Sequence, residues 1–267
     1  MRKYISFFRL RFLTGLQYRG AALAGITTQF FWGAMQLLMF RAFYQADPSA
    51  FPMTLPALSS YIWMQQAFLA LFMVWVLENE LFDMISNGNI AYELCRPIDL
   101  YDLWFVRSVA NRISKWVLRS VPILLFAAFV PYPYGLSLPK SVSSFFWFFI
   151  TMILGFLLVI AFTMLVYILT FYTLSPMGVR MVAVTLVEFF SGGVIPLPFL
   201  PDRIRKVVEL LPFASMQNVP LRIYSGDISE NLVPRSVMLQ IAWLLFFIII
   251  GKLLMRNAMK KVVIQGG

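Results

Sequence analysis

Apolar and polar positions alternate along this 267-residue chain in long blocks, not in short periods. Apolar blocks run from about Gly20 to Tyr44 and from about Pro56 to Leu77. A third ends near Val130, and a fourth lies within Val142 to Leu174. A fifth runs from Val179 to about Leu197 and a sixth from Leu232 to Met255. Each holds about 20 residues, which as a helix crosses roughly 30 Å of hydrocarbon. The pattern predicts six membrane-spanning helices in one domain covering residues 1–267 with no internal repeat. The fourth block is overlong and predicts a tilted or projecting helix, with Phe145, Phe146, Trp147, Phe148 and Phe149 as an interfacial aromatic belt. Residues 1–18 are too charged to span. Ile5, Phe8, Phe12 and Leu16 share one helical face, with Lys3 and Arg11 off it, which predicts a helix lying in the interface. A plain extension of the first span is the competing reading.

Two interruptions are long enough to carry a function. Residues 78–102 read ENELFDMISNGNIAYELCRPIDLYD and hold Glu78, Glu80, Asp83, Glu93, Asp99 and Asp102, half of the chain's 12 acidic residues. Asn87, Gly88 and Asn89 predict a turn between two short helices, the second stopped at Pro97. Apolar Leu81, Phe82, Met84, Ile85 and Ile90 among these charges suit a protein contact better than a solvated connector. Residues 191–231 open with SGGVIPLPFLP. Gly192 and Gly193 loosen a helix, and Pro196, Pro198 and Pro201 break it. A short helix capped by Asp202 is predicted next, with Ile204, Val207, Val208 and Leu211 on one side.

Composition fixes the solvent. Hydrophobic residues are 60% and charged residues 13%, against about 45–50% and about 25% in soluble domains. Mean hydropathy is +0.78. A soluble enzyme, a disordered chain and a nucleic-acid-binding domain are excluded. The net charge of +10 then speaks of topology: most of the 22 Lys and Arg residues fall on the side of residues 1–18 and 78–102, which predicts both termini in the cytoplasm. No cleavable signal peptide is expected, since Arg9, Arg11 and Arg19 interrupt any short apolar core. Histidine is absent and Cys95 is the single cysteine, so imidazole chemistry, metal ligation and a Cys nucleophile have no candidates. No phosphate-binding loop of the G-x-x-x-x-G-K-[ST] type exists.

Charge inside the apolar blocks is the remaining signal. Glu188 lies in VAVTLVEFFSGG, and Ser108, Arg112, Lys115 and Arg119 share a helical face of the third block. A charge at a span's centre costs about 2.5–3.5 kcal/mol on the insertion scale, so it should face protein or water. Lys115 is within snorkelling reach of the interface. Arg119 and Glu188 each fall about 12 Å deep at 1.5 Å per residue, and they are expected to pair, directly or through water, inside the bundle or at an interface with a second chain. The alternative is a protonated Glu188 and an Arg119 that reaches the lipid phosphates.

The basic helix before the first span, the loop ending ISNGNIAYELCRPI, and SGGVIPLPFLPDRIRKVVELLPF after the fifth span together resemble the membrane subunits of ABC type-2 exporter permeases. Within them the chain is most similar to the group often encoded as two related permeases. The resemblance implies an all-α membrane protein with six transmembrane helices, an N-terminal interfacial elbow helix, a cytoplasmic coupling helix and a re-entrant outer hairpin. It implies ATPase coupling through Glu80, Leu81, Asp83, Met84, Asn87, Gly88, Asn89, Glu93, Arg96 and Pro97. It implies a translocation path or gate near Glu188, Gly192, Gly193, Pro196 and Arg119. It further implies a homodimer or heterodimer in the bacterial inner membrane, surrounded by lipid, with ATP and Mg bound by separate ABC ATPase subunits and no cofactor or catalysis on this chain. Two rivals from other classes are a membrane scaffold without a path and an ion-coupled carrier using Glu188. The missing repeat counts against the carrier.

Overall fold

The computed structural model describes residues 2–95, 97–173 and 175–260. Within them the chain forms α-helices, short 3-10 turns and loops, and no strand. In order the helices are α1 (Arg2–Leu16), α2 (Arg19–Ala46), α3 (Leu55–Phe72), α4 (Asn79–Ser86), α5 (Ala91–Leu94) and α6 (Leu100–Phe129). They continue with α7 (Val142–Thr173), α8 (Pro176–Phe190), α9 (Asp202–Val208), α10 (Asn218–Tyr224) and α11 (Val233–Met259).

Three helices are long and apolar enough to cross a membrane: α2, α7, and α11 with the turn before it. The other long elements depart from that pattern for visible reasons. Helix α6 has 30 residues but carries four cations. Helix α3 has 18 residues and α8 only 15, or about 22 Å. The apolar run of the second block continues to Leu77, yet α3 stops at Phe72. The fifth block likewise stops being helical at Phe190 instead of near Leu197.

Helix α7 is the axis of the bundle. It is apolar all round, as a helix enclosed by protein should be, and Leu158, Val159, Ile160 and Ala161 are fully buried. Helices α10 and α11 pack along it, with α3, α4, α6 and α8 around the rest. The aromatic run at its start is not a uniform belt. Phe148 is in the core, edge-to-face with Phe68 and Tyr224, while Phe145, Phe146 and Phe149 are exposed.

Helix α1 packs against α6. Gly15 permits the close approach, because a Cβ there would sit 2.2 Å from Ser114 Oγ. Phe8, Phe12 and Leu16 are on the half-buried face, as the spacing predicts. Ile5 and Arg11 exchange roles. Ile5 is exposed, and Arg11 turns toward the bundle, 3.7 Å from Glu80. The carboxylate supplies the reason, since an ion pair at the crossing orients the helix.

Candidate functional site

The 78–94 segment is held to the bundle on one side and open on the other. Leu81 and Ile90 are fully buried, and Phe82 packs its ring 5.0 Å from that of Tyr167 on α7. The Tyr167 hydroxyl accepts the Glu78 amide at 2.8 Å. Arg107 on α6 donates Nε to Glu78 Oε2 at 2.6 Å and Nη2 to Glu80. Arg180 on α8 reaches Asn79 at 3.0 Å. Four elements thus fix this short arm. Between α4 and α5 the chain reverses at Gly88, whose φ of +70° suits glycine. Asp83, Asn87, Asn89, Tyr92 and Leu94 face outward, as does Pro97.

This sorts the residues assigned to coupling. Asp83, Asn87 and Asn89 lie on the open face. Met84 and Glu93 are half-buried, and Gly88 forms the turn. Leu81 and Glu80 anchor the arm instead: Leu81 is buried, and Glu80 binds Arg107 and Arg11. Arg96 lies outside the described residues.

On the opposite side of α8 the chain breaks at Ser191. Gly192 has φ +79°, and a 3-10 turn spans Leu197–Phe199. The chain then runs back into protein, and residues 214–221 are all buried. Gln65 on α3 donates to Gly193 O at 2.7 Å, and Gln240 on α11 donates to Ser215 O at 2.8 Å and Thr151 O at 3.0 Å. These amides satisfy non-helical backbone that has no water beside it. Gly155 on α7 lets the returning segment approach, since a Cβ there would meet Met216 O at 2.0 Å. Arg222 joins α10 to Glu209 and Asp227. Pro196 precedes the 3-10 turn. The predicted Asp202 cap is absent: Pro201 takes that position, and Asp202 pairs with Arg205 at 2.7 Å. Of the residues expected on one side of this helix, Val208 is buried, whereas Ile204 and Val207 are exposed.

Between α2, α3 and the end of α8 lies a groove of about 780 Å³. Its walls are mainly apolar, with Trp32, Met35, Leu69 and Trp75 among them, but glutamines run through it. Gln66 donates to Gln36 at 3.2 Å. Gln29 is 3% exposed and neither amide atom has a partner. Arg119, Glu188 and Gly193 also line this groove. Arg119 and Glu188 therefore share a cavity but form no ion pair among the described residues. Arg119 instead packs over Gly25 on α2, where a Cβ would lie 2.5 Å from its guanidinium carbon. Its Nη2 donates to Ala21 O at 3.4 Å.

Two arrangements escaped the sequence reading. Arg112 is 1% exposed and has no described carboxylate within ion-pair distance. It donates to Met73 O at 2.8 Å, Val76 O at 3.2 Å, Thr163 Oγ1 at 3.3 Å and Leu71 O at 3.3 Å, with a 3.4 Å contact to Ala70 O. The Ala70, Leu71 and Met73 carbonyls lie at the end of α3 and carry the negative end of its dipole, and Val76 belongs to the turn that follows. The glutamine row was the other omission. Gln29 and Gln36 stand seven residues apart in an apolar block, which places them on one helical face, and that spacing was the available signal.

No individual curated protein matches the chain. The sequence model of the family described as ABC-2 family transporter protein matches residues 30–266, from the middle of α2 past the end of α11. By that match, over an all-α fold with several apolar helices, the chain is a multi-pass membrane protein and belongs to the ABC-2 transporter family.

Proposed function

We propose that this chain is the membrane permease of an ABC exporter, working as a dimer with itself or a related permease above two separate ATPase subunits. The observation that carries the reading is the α4–turn–α5 arm. It is anchored to α1, α6, α7 and α8 on one side and presents Asp83, Asn87, Asn89 and Tyr92 on the other. An arm fixed in this way transmits a push from a docked subunit to the bundle, where a solvated connector would yield. In this reading the chain spans the membrane six times, with this arm and both termini in the bacterial cytoplasm and the 191–231 hairpin outside. Helices α2, α3, α6, α7, α8 and α11 are the spans. ATP and Mg belong to the partner, and no residue of this chain takes part in covalent chemistry.

In this reading the groove between α2, α3 and α8 faces the second permease and forms half of the path. Gly192, Gly193 and Pro196 shape its outer end and Glu188 its wall. The exposed apolar faces of α2 (Phe31, Trp32, Met35, Leu38) and α8 (Met181, Val182, Phe189) favour such a partner or lipid.

The test is co-purification with an ABC ATPase and, if needed, a second permease. ATPase stimulation by the complex is expected. Asp83→Lys with Tyr92→Ala is expected to abolish stimulation while leaving membrane insertion intact. Unchanged stimulation in that variant removes the arm from coupling, and failure of any ATPase to bind favours the scaffold.

A further inference from the structure

A second cleft, of about 360 Å³, opens between α1, the start of α2 and α6. It is lined by Arg11, Arg107, Lys115 and Arg119 against two carboxylates, Glu78 and Glu80. Both carboxylates are engaged by Arg107, and Glu80 also by Arg11. Glu78 keeps Oε1 unpaired, but the excess of charge is positive. Lys115 has no hydrogen bond or ion pair among the described residues, although it is only partly exposed. Arg119 has only the long bond to Ala21 O, and its Nε is buried without a partner. Two cations in an apolar helix without counter-charges are costly unless something anionic covers them.

Their level in the membrane narrows what that is. Gly15 of α1 packs against Ser114 of α6, one residue before Lys115, and a basic helix with one apolar face, as α1 is, lies at the headgroup boundary. Arg119 is one turn further along, about 6 Å deeper. Arg119 also lines the apolar groove beside α2, so the charged cleft and the groove meet at its guanidinium. From Ala22 in the cleft to Met39 in the groove, one face of α2 extends roughly 25 Å, the scale of an acyl chain.

We propose that this cleft binds the phosphate of an anionic phospholipid from the leaflet on the α1 side, with one acyl chain in the groove along α2. Lys115 and Arg119 contact the phosphate, and Tyr18, Thr14 and Asn111 border it. The phosphate end of the site requires only that the chain reside in a membrane, whereas the acyl chain lies in the groove that the exporter reading gives to the path. The same cations would also attract a free phosphate ester, and the test separates the two sources.

The full chain, purified in dodecyl maltoside, is titrated with dioleoyl phosphatidylglycerol, dioleoyl phosphatidylcholine and glycerol 3-phosphate. Thermal stabilisation and lipid retention in native mass spectrometry are read together. Phosphatidylglycerol is expected to bind roughly tenfold or more tightly than phosphatidylcholine, and glycerol 3-phosphate to give no shift. Lys115→Gln with Arg119→Gln should remove that preference, and Lys115→Arg with Arg119→Lys should keep it. Equal binding of the two lipids by the native chain overturns the proposal. So does an undiminished preference in the Gln variant, or an equal shift with glycerol 3-phosphate. If the double variant fails to fold, Lys115→Gln alone and the comparison of lipids on the native chain decide.

Discussion

Replacing Arg112 by Leu tests whether the end of α3 is held by a buried guanidinium. The side chain is 1% exposed, and its two best carbonyl contacts are Met73 O at 2.8 Å and Val76 O at 3.2 Å. Leu fills much of the volume but leaves Val76 O dry, while Met73 O keeps the Val76 amide at 3.3 Å. An unsatisfied buried acceptor costs about 1–3 kcal/mol, and Met73 O loses one of its two bonds. Removing a desolvated charge returns part of this. A net loss of about 2 kcal/mol is the expected size, or about 4–8 °C in the apparent melting temperature at 2–4 °C per kcal/mol. Arg112→Lys should fall between, since an ammonium at the end of a flexible chain cannot reproduce the planar fork. The assay is thermal unfolding of the detergent-purified protein, followed by size-exclusion chromatography. A Leu variant melting within about 2 °C of the native protein would show that Val76 O does not depend on Arg112. The consequence extends to function, because residues 73–78 lead directly from α3 to the anchored arm.

Gly155→Ala is expected to lower folded yield sharply, because its Cβ would meet the backbone oxygen of Met216 at 2.0 Å. Gly25→Ala should melt near the native value, since its 2.5 Å clash is with the movable end of Arg119; equal losses in both variants, compared in one melting series, would refute this distinction. Gly88→Ala should cost about 1 kcal/mol, from the left-handed φ of +70°, and an unchanged melting curve would argue against that turn. With Cys95→Ser as background, cysteines at Ser49 and Asp227 should react with an impermeant reagent from outside intact cells, and one at Gly88 only after permeabilisation. External labelling at 88 would invert the topology.

What the sequence made legible was set by polarity. The all-apolar α7, the break at Ser191 and the turn at Gly88 follow from residue type, because a helix in lipid, a glycine pair with prolines, and an Asn-Gly-Asn run each have few alternatives. What it hid depends on partners distant in the chain. Met73, Val74, Trp75, Val76 and Leu77 read as more of the second span, and nothing local reports that their carbonyls are taken by Arg112, some 39 residues away at its shortest contact. How Arg119 and Glu188 sit relative to one another within this chain was hidden for a related reason. Depth along two helices was estimated correctly enough to place both in one groove, but depth says nothing of lateral distance, and Gly25 offered Arg119 a nearer seat. Arg11 was misplaced on α1 because spacing records a helix's faces without recording the carboxylate of Glu80 beside one of them.

Helix α6 shows three ways for a membrane protein to keep a cation. Arg107 is paired, with Glu78 at 2.6 Å and with Glu80, and its removal would strand the mostly buried Glu78, while exposed Glu80 keeps Arg11. Arg112 is satisfied by carbonyls at and just after the end of α3, with no described carboxylate within ion-pair distance. Both are spent on structure: each joins α6 to the segment between α3 and α4. Lys115 and Arg119 differ from them in the one respect that matters for binding. Their charge is only partly covered, and no described carboxylate lies within ion-pair distance of either. A helix that needed cations only for packing would have no reason to leave these two uncompensated. The functional charges of α6 are therefore best sought by subtraction, among the cations whose cost the fold itself does not offset.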